Sequence, residues 1–141
     1  MSRPAHPTRP SAPSPASRST ADRGDRPHCN LAVVCGSLSS DPMARELPSG
    51  DVVHTYEVTV RSPDGPADTI PVARFGGRRP PALRAGDEVV VTGRVRRRFF
   101  RAGGATASRT EVVADAVIPA RQQSRARAAV EQALGTMLDP S

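Results

Sequence analysis

The side chains with the clearest chemical potential lie together in Arg94-Val95-Arg96-Arg97-Arg98-Phe99-Phe100-Arg101. Between Val89 and Thr110 there are six arginines (94, 96, 97, 98, 101 and 109) and no acid. Alternate residues of a strand share a face. Val89, Val91 and Val95 take the inward face, so Arg94, Arg96, Arg98 and Phe100 take the other. Phe99 has inward parity, which assigns it to the core. Arg97 has the same parity, so the hairpin is expected to project past the core by that point. A row of guanidinium groups ending in an aromatic ring suits a single nucleic-acid strand, because the charges track phosphates while the ring stacks on any base. The plainer reading is a solvated hairpin whose arginines serve solubility.

Other reactive residues point nowhere in particular. His54 and Glu57 sit on opposite faces of one strand, which rules out shared proton transfer. Cys29 and Cys35 are six apart in one extended segment, roughly 20 Å, and cannot pair there. With only His6, His28 and His54 beside them, no zinc spacing appears. The expectation is a protein without catalysis, cofactor or metal, in a reducing cytoplasm. No apolar run approaches 18 residues, so no membrane span is expected, and no apolar segment follows the N-terminus to act as a secretory signal.

The elements that must position the hairpin read as short strands. The chain has 141 residues, with 15 Pro and 11 Gly. Residues 1–28 hold six of those prolines and almost no large apolar side chain. This composition predicts a disordered basic arm, its five arginines set against Asp22 and Asp25. From Cys29 the pattern turns to β. Asn30–Leu38 is apolar and β-branched, with Gly36 marking a bulge or a close backbone approach. Ser39–Asp51 reads as a loop. Val52–Arg61 alternates, Tyr56 and Val58 falling on the core side. Thr69–Phe75 is a third strand, Gly76–Gly86 a connection with at most one helical turn, Glu88–Phe100 a fourth strand and Arg109–Ile118 a fifth. Five strands with a long last hairpin predict an all-β domain over residues 29–119, closed as a small barrel. Residues 120–141 form a tail with a short helix. Its stripe of Val130, Leu134, Met137 and Leu138 is expected to dock on the barrel or on a neighbouring subunit.

All 20 basic residues are arginine, and the formal net charge is +6. The 29–119 domain carries only +2 of this, from twelve arginines against ten acids. Positive charge is therefore concentrated on the hairpin, which favours a polyanionic partner.

Several segments taken in order, Asn30–Leu38 with Ser40-Asp41-Pro42, Pro48-Ser49-Gly50, Thr69–Phe75-Gly76, Ala85-Gly86-Asp87, Val91–Phe100 and Glu111-Val112, resemble the bacterial single-stranded DNA-binding protein family. The resemblance covers about residues 29–119. It implies an oligonucleotide-binding (OB-fold) barrel that coats single strands, as a homo-oligomer, in DNA replication, repair or recombination. Phe75 and Phe100 match stacking positions of the family. The chain departs from it in having no Trp and in lacking the acidic C-terminal tail that recruits partners. It reads as a divergent accessory member, cytoplasmic and nucleoid-associated. The expected interface is Arg94, Arg96, Arg98, Phe100, Arg101 and Phe75, with Arg61, Arg74 and Arg78 extending the basic surface. Two alternatives stand beside single-stranded DNA. One is single-stranded RNA, since stacking does not report on a 2′-hydroxyl; the other is a protein-interaction module on the same barrel.

Overall fold

The structure is a computed structural model that describes residues 28–76 and 80–138. The proposed arm, apart from His28, and Arg78 lie outside the described residues. Six strands and one helix follow the chain: β1 Ala32–Leu38, β2 Met43–Glu46, β3 Val52–Val60, β4 Asp68–Phe75, β5 Glu88–Ala102, β6 Ala105–Pro119 and α1 Gln123–Leu138. No described helix is long and apolar enough to cross a membrane.

The strands join in the order β1-β5-β6-β4-β3-β2, and β1 also pairs with β3. Hydrogen bonds therefore run through five strands and return to the first. Closure requires β1 to serve two neighbours. Ala32–Ser37 faces Gly93–Glu88 of β5, while Ser37 and Leu38 meet Thr59 and Val58 of β3. Gly36 makes this possible, because a Cβ there would collide with the Thr59 carbonyl. The glycine signal in the sequence is thus a close backbone approach. All pairings are antiparallel except β4 with β6, where Val72 and Ala73 run parallel to Val112 and Val113.

Alternation dictates what fills the ring. Val34, Leu38, Tyr56, Val58, Val72, Val89, Val91, Val112, Ala114 and Val117 form one buried cluster, with Ile70 and Leu83 packed against it. These are mostly β-branched side chains, which suit a pleated and half-buried surface.

Three expectations need correction. The segment Ser39–Asp51 contains β2, paired to β3 through Met43 opposite Thr55 and Glu46 opposite Val52. All four of its residues are exposed, so no apolar alternation advertised it. The last strand begins at Ala105 rather than Arg109, because the hairpin turns in two residues. The helix docks on β5 and β6 mainly through Ala126, which is 7% exposed, with Val130 half-buried. Leu134 and Met137 of the expected stripe stay largely exposed.

Tyr56 is 2% exposed, and its hydroxyl has no hydrogen-bond partner among the described residues. Burial pushes its pKa above the usual 10, with the nearby Arg74 charge opposing. The unfolded chain releases this proton near pH 10 while the folded chain holds it. Stability therefore falls as pH rises from 10 towards the folded pKa. Tyr56→Phe removes an unsatisfied hydroxyl and keeps the ring. Thermal unfolding is expected to show unchanged or higher stability, by about 1 kcal/mol, and a shallower decline above pH 10 than in the wild type.

Candidate nucleic-acid interface

Beyond Gly93 the β5 strand loses β1, and β6 pairs with β4 only near Val113. From Arg97 opposite Thr110 to Ala102 opposite Ala105, β5 and β6 continue alone as a two-stranded ribbon of roughly 20 Å. Its tip is Gly103-Gly104, with φ of 59° and 81°. Two consecutive residues with positive φ are what the tightest twist-matched hairpin turn demands. At the ribbon's root, the side-chain amide of Asn30 takes the place of a strand neighbour. Its Oδ1 accepts from Val95 N at 2.8 Å, and its Nδ2 donates to Val95 O at 2.7 Å.

One face gathers residues from four strands. Cross-strand partners point the same way, so Arg94, Arg96, Arg98 and Phe100 share their side with Val113, Glu111, Arg109 and Ala107. Ala73 and Phe75 of β4 join this side through the pairing of Ala73 with Val113. Val53 and Glu57 of β3 follow through their β4 neighbours Phe75 and Pro71. The Arg96 guanidinium lies over the Phe75 ring, 5.0 Å from its centroid, and Arg98 over Phe100 at 5.4 Å. Such contacts contribute about 0.5–1 kcal/mol at exposed sites. Phe75 is 42% exposed and Phe100 39%, so each ring keeps surface free for a base.

Glu111 lies among these groups and is only 6% exposed. Its Oε1 accepts from Arg96 Nη2 at 2.8 Å and lies 3.3 Å from Arg98 Nε. Arg109 Nη2 binds Glu57 Oε1 at 2.8 Å. The face therefore carries four arginines against two carboxylates, and only Arg94 has no ion pair among the described residues. Arginine here is ordered by acid as much as it is free to attract a polyanion. Sequence reasoning missed Glu111, which follows the acid-free run by one residue. Counting outward from the glycine turn finds it, since a two-residue turn sets Arg98 opposite Arg109 and Arg96 opposite Glu111.

Five of the expected residues thus meet: Arg94, Arg96, Arg98, Phe100 and Phe75. Three do not. Arg101 is opposite Thr106 and shares the other ribbon face with Arg97 and Phe99. Arg74, opposite His54, has the parity of Val72 and Tyr56 and points away from Phe75. Arg61 is exposed just past the end of β3, about 25 Å along the strand from Val53, the residue opposite Phe75. Phe99 is also corrected. It is 64% exposed rather than buried, because the ribbon has left the core before reaching it. Its ring instead carries the Arg97 guanidinium at 5.3 Å, and Arg97 Nη2 donates to Ser108 Oγ at 3.1 Å.

Glu57 is engaged by Arg109 on the face away from His54, which leaves no acid–base pair between them. No group of three or more His, Cys, Asp or Glu among the described residues is placed to hold a metal ion. Neither a protein-family model nor any curated protein matches the sequence.

The Glu111 network has a measurable cost of removal. Glu111→Gln keeps an acceptor for Arg96 but discards the charge that both arginines face. Urea unfolding is expected to show a loss of about 1–2 kcal/mol, at the low end for a paired buried acid because both arginines reach solvent.

Proposed function

We propose that this chain binds single-stranded DNA with little sequence preference, on an OB-type barrel. The observation that carries the reading is the convergence of Phe75, Arg96, Arg98 and Phe100 on one face from separate strands. Stacking rings beside guanidinium groups are the combination that sequence-tolerant single-strand binders use. The ring order supports the barrel. Setting aside β2, its strands run 1-2-3-5-4 and back to 1, with a parallel third and fifth. In OB barrels the face of the second and third strands, and the loop joining the fourth and fifth, bind oligonucleotides. Phe75 belongs to the third ring strand and the ribbon to the fourth–fifth connection.

In this reading the arginines hold phosphates and Phe75 and Phe100 stack on bases, with no catalytic step and no cofactor. The role is accessory, in replication, repair or recombination, and a homo-oligomer would multiply the contacts.

Two outcomes test this. Replacing Arg94, Arg96 and Arg98 together with Gln is expected to flatten the slope of log K against log salt by roughly two, at about 0.7 per phosphate contact on a single strand. An unchanged slope would move the interface elsewhere. Matched RNA and duplex titrations in the same buffer identify the preferred polymer.

Phe100→Ala separates stacking from packing. Affinity for oligothymidylate is expected to drop roughly fivefold to a hundredfold, the worth of one stacked base. The unfolding midpoint is expected to stay in place, since a buried Phe would instead cost about 3–5 kcal/mol on truncation.

A further inference from the structure

The ribbon has a second face, and it is built like the first. Val95, Arg97, Phe99 and Arg101 of β5 point to the side of Thr106, Ser108 and Thr110 of β6. Arg97 lies over the Phe99 ring just as Arg98 lies over Phe100 on the other side. Phe99 is the most exposed aromatic ring of the described residues, at 64%. An exposed Phe in this position contributes nothing to the core, and the adjacent Val95 is itself 45% exposed.

Charge distinguishes the two faces. On the first, Glu111 and Glu57 offset half of the arginines. On the second, the cross-strand partners of Arg97, Phe99 and Arg101 are Thr110, Ser108 and Thr106, and neither Arg97 nor Arg101 makes an ion pair among the described residues. The second face thus presents two arginines without an acidic partner, a largely exposed ring with Arg97 over it, and hydroxyl groups. That is a complete set for a polyanion with stacking bases. The tip between the faces is Ala102-Gly103-Gly104-Ala105, whose small side chains leave a bare edge for a strand to cross.

We propose that the β5–β6 ribbon binds single-stranded nucleic acid on both faces, one strand passing over the glycine tip from Phe100 to Phe99. This rests on the single-strand reading of the first face. It adds that the ribbon is a peg around which the strand folds, with Phe99, Arg97 and Arg101 as the second half of the site.

The test compares a short oligothymidylate, long enough to cover one face, with one several times longer. Both are titrated against the full chain at fixed salt by fluorescence anisotropy and calorimetry. At saturation the short probe is expected to bind twice per chain and the long probe once, more tightly. Phe99→Leu, which keeps apolar bulk against the Arg97 stem but removes the ring, should leave one short probe per chain. It should also weaken the long probe roughly fivefold or more. Arg101→Gln provides a second variant, expected to flatten the salt slope for the long probe and leave the first face's short-probe affinity unchanged. Circular dichroism confirms that the folds match.

One short probe per chain, with Phe99→Leu and Arg101→Gln binding like the wild type, would overturn the two-faced ribbon and leave the first face standing. Absence of any oligothymidylate binding would remove both readings. Tighter binding of duplex than of single strands, weakened by Phe99→Leu, would also overturn the proposal and make the ribbon a groove reader.

Discussion

The whole arrangement depends on β1 being shared by two strands that come from distant parts of the chain. Ala32 through Ser37 pair with β5, while Ser37 and Leu38 also meet β3. Only a residue without a Cβ at position 36 lets the Thr59 carbonyl come close enough for that exchange. Closing the ring there gives Tyr56, Val58, Val72 and Val91 a common interior. The same closure decides where the ring ends. Once β5 passes Gly93 it has no β1 to pair with, and from Arg97 onward it continues with β6 alone as a ribbon.

Isolated two-stranded ribbons are marginal in water, so this one must be held by more than its ladder. At its root are the Asn30 amide on one edge and the Glu111 carboxylate on one face. Along its length three guanidinium–ring contacts link consecutive side chains to the aromatic residues. Glu111 has a double effect. It orients Arg96 and Arg98 against Phe75 and Phe100, and it lowers the net charge that those arginines present. An interface made only of arginine would repel itself and splay, and the buried carboxylate exchanges some attraction for order.

Much of the fold was legible because its strands alternate cleanly. Tyr56 and Val58, and Val89 with Val91, lie where period two put them. The helix, Gln123–Leu138, falls within residues 120–141, where composition alone made it legible. Parity failed at Phe99 for a physical reason. It tells which side a residue occupies, not whether anything covers that side, and the core stops at Val91 while the strand runs on to Ala102. Parity also separates Arg74 from Phe75 and Arg101 from Phe100, and charge along the sequence does not register that separation. The strand Met43–Glu46 had no apolar face to reveal it. Glu111 was visible only through the hairpin geometry, which depends on recognising Gly103-Gly104 as a two-residue turn.

The Asn30 cap on Val95 also marks where an open edge begins. From Arg96 to Ala102 the outer edge of β5 has unpaired backbone groups, which is how β-proteins stick to one another. Pairing two such edges antiparallel about Arg97 would set Arg96 of one copy against Arg98 of the other, a like-charge contact that opposes adhesion. The arginine run therefore keeps neighbouring molecules apart. That protection acts through the Debye length, about 10 Å at 0.1 M salt and about 3 Å at 1 M. Crowded, high-salt solution is accordingly the condition in which ribbons of this kind would adhere edge to edge and come out of solution.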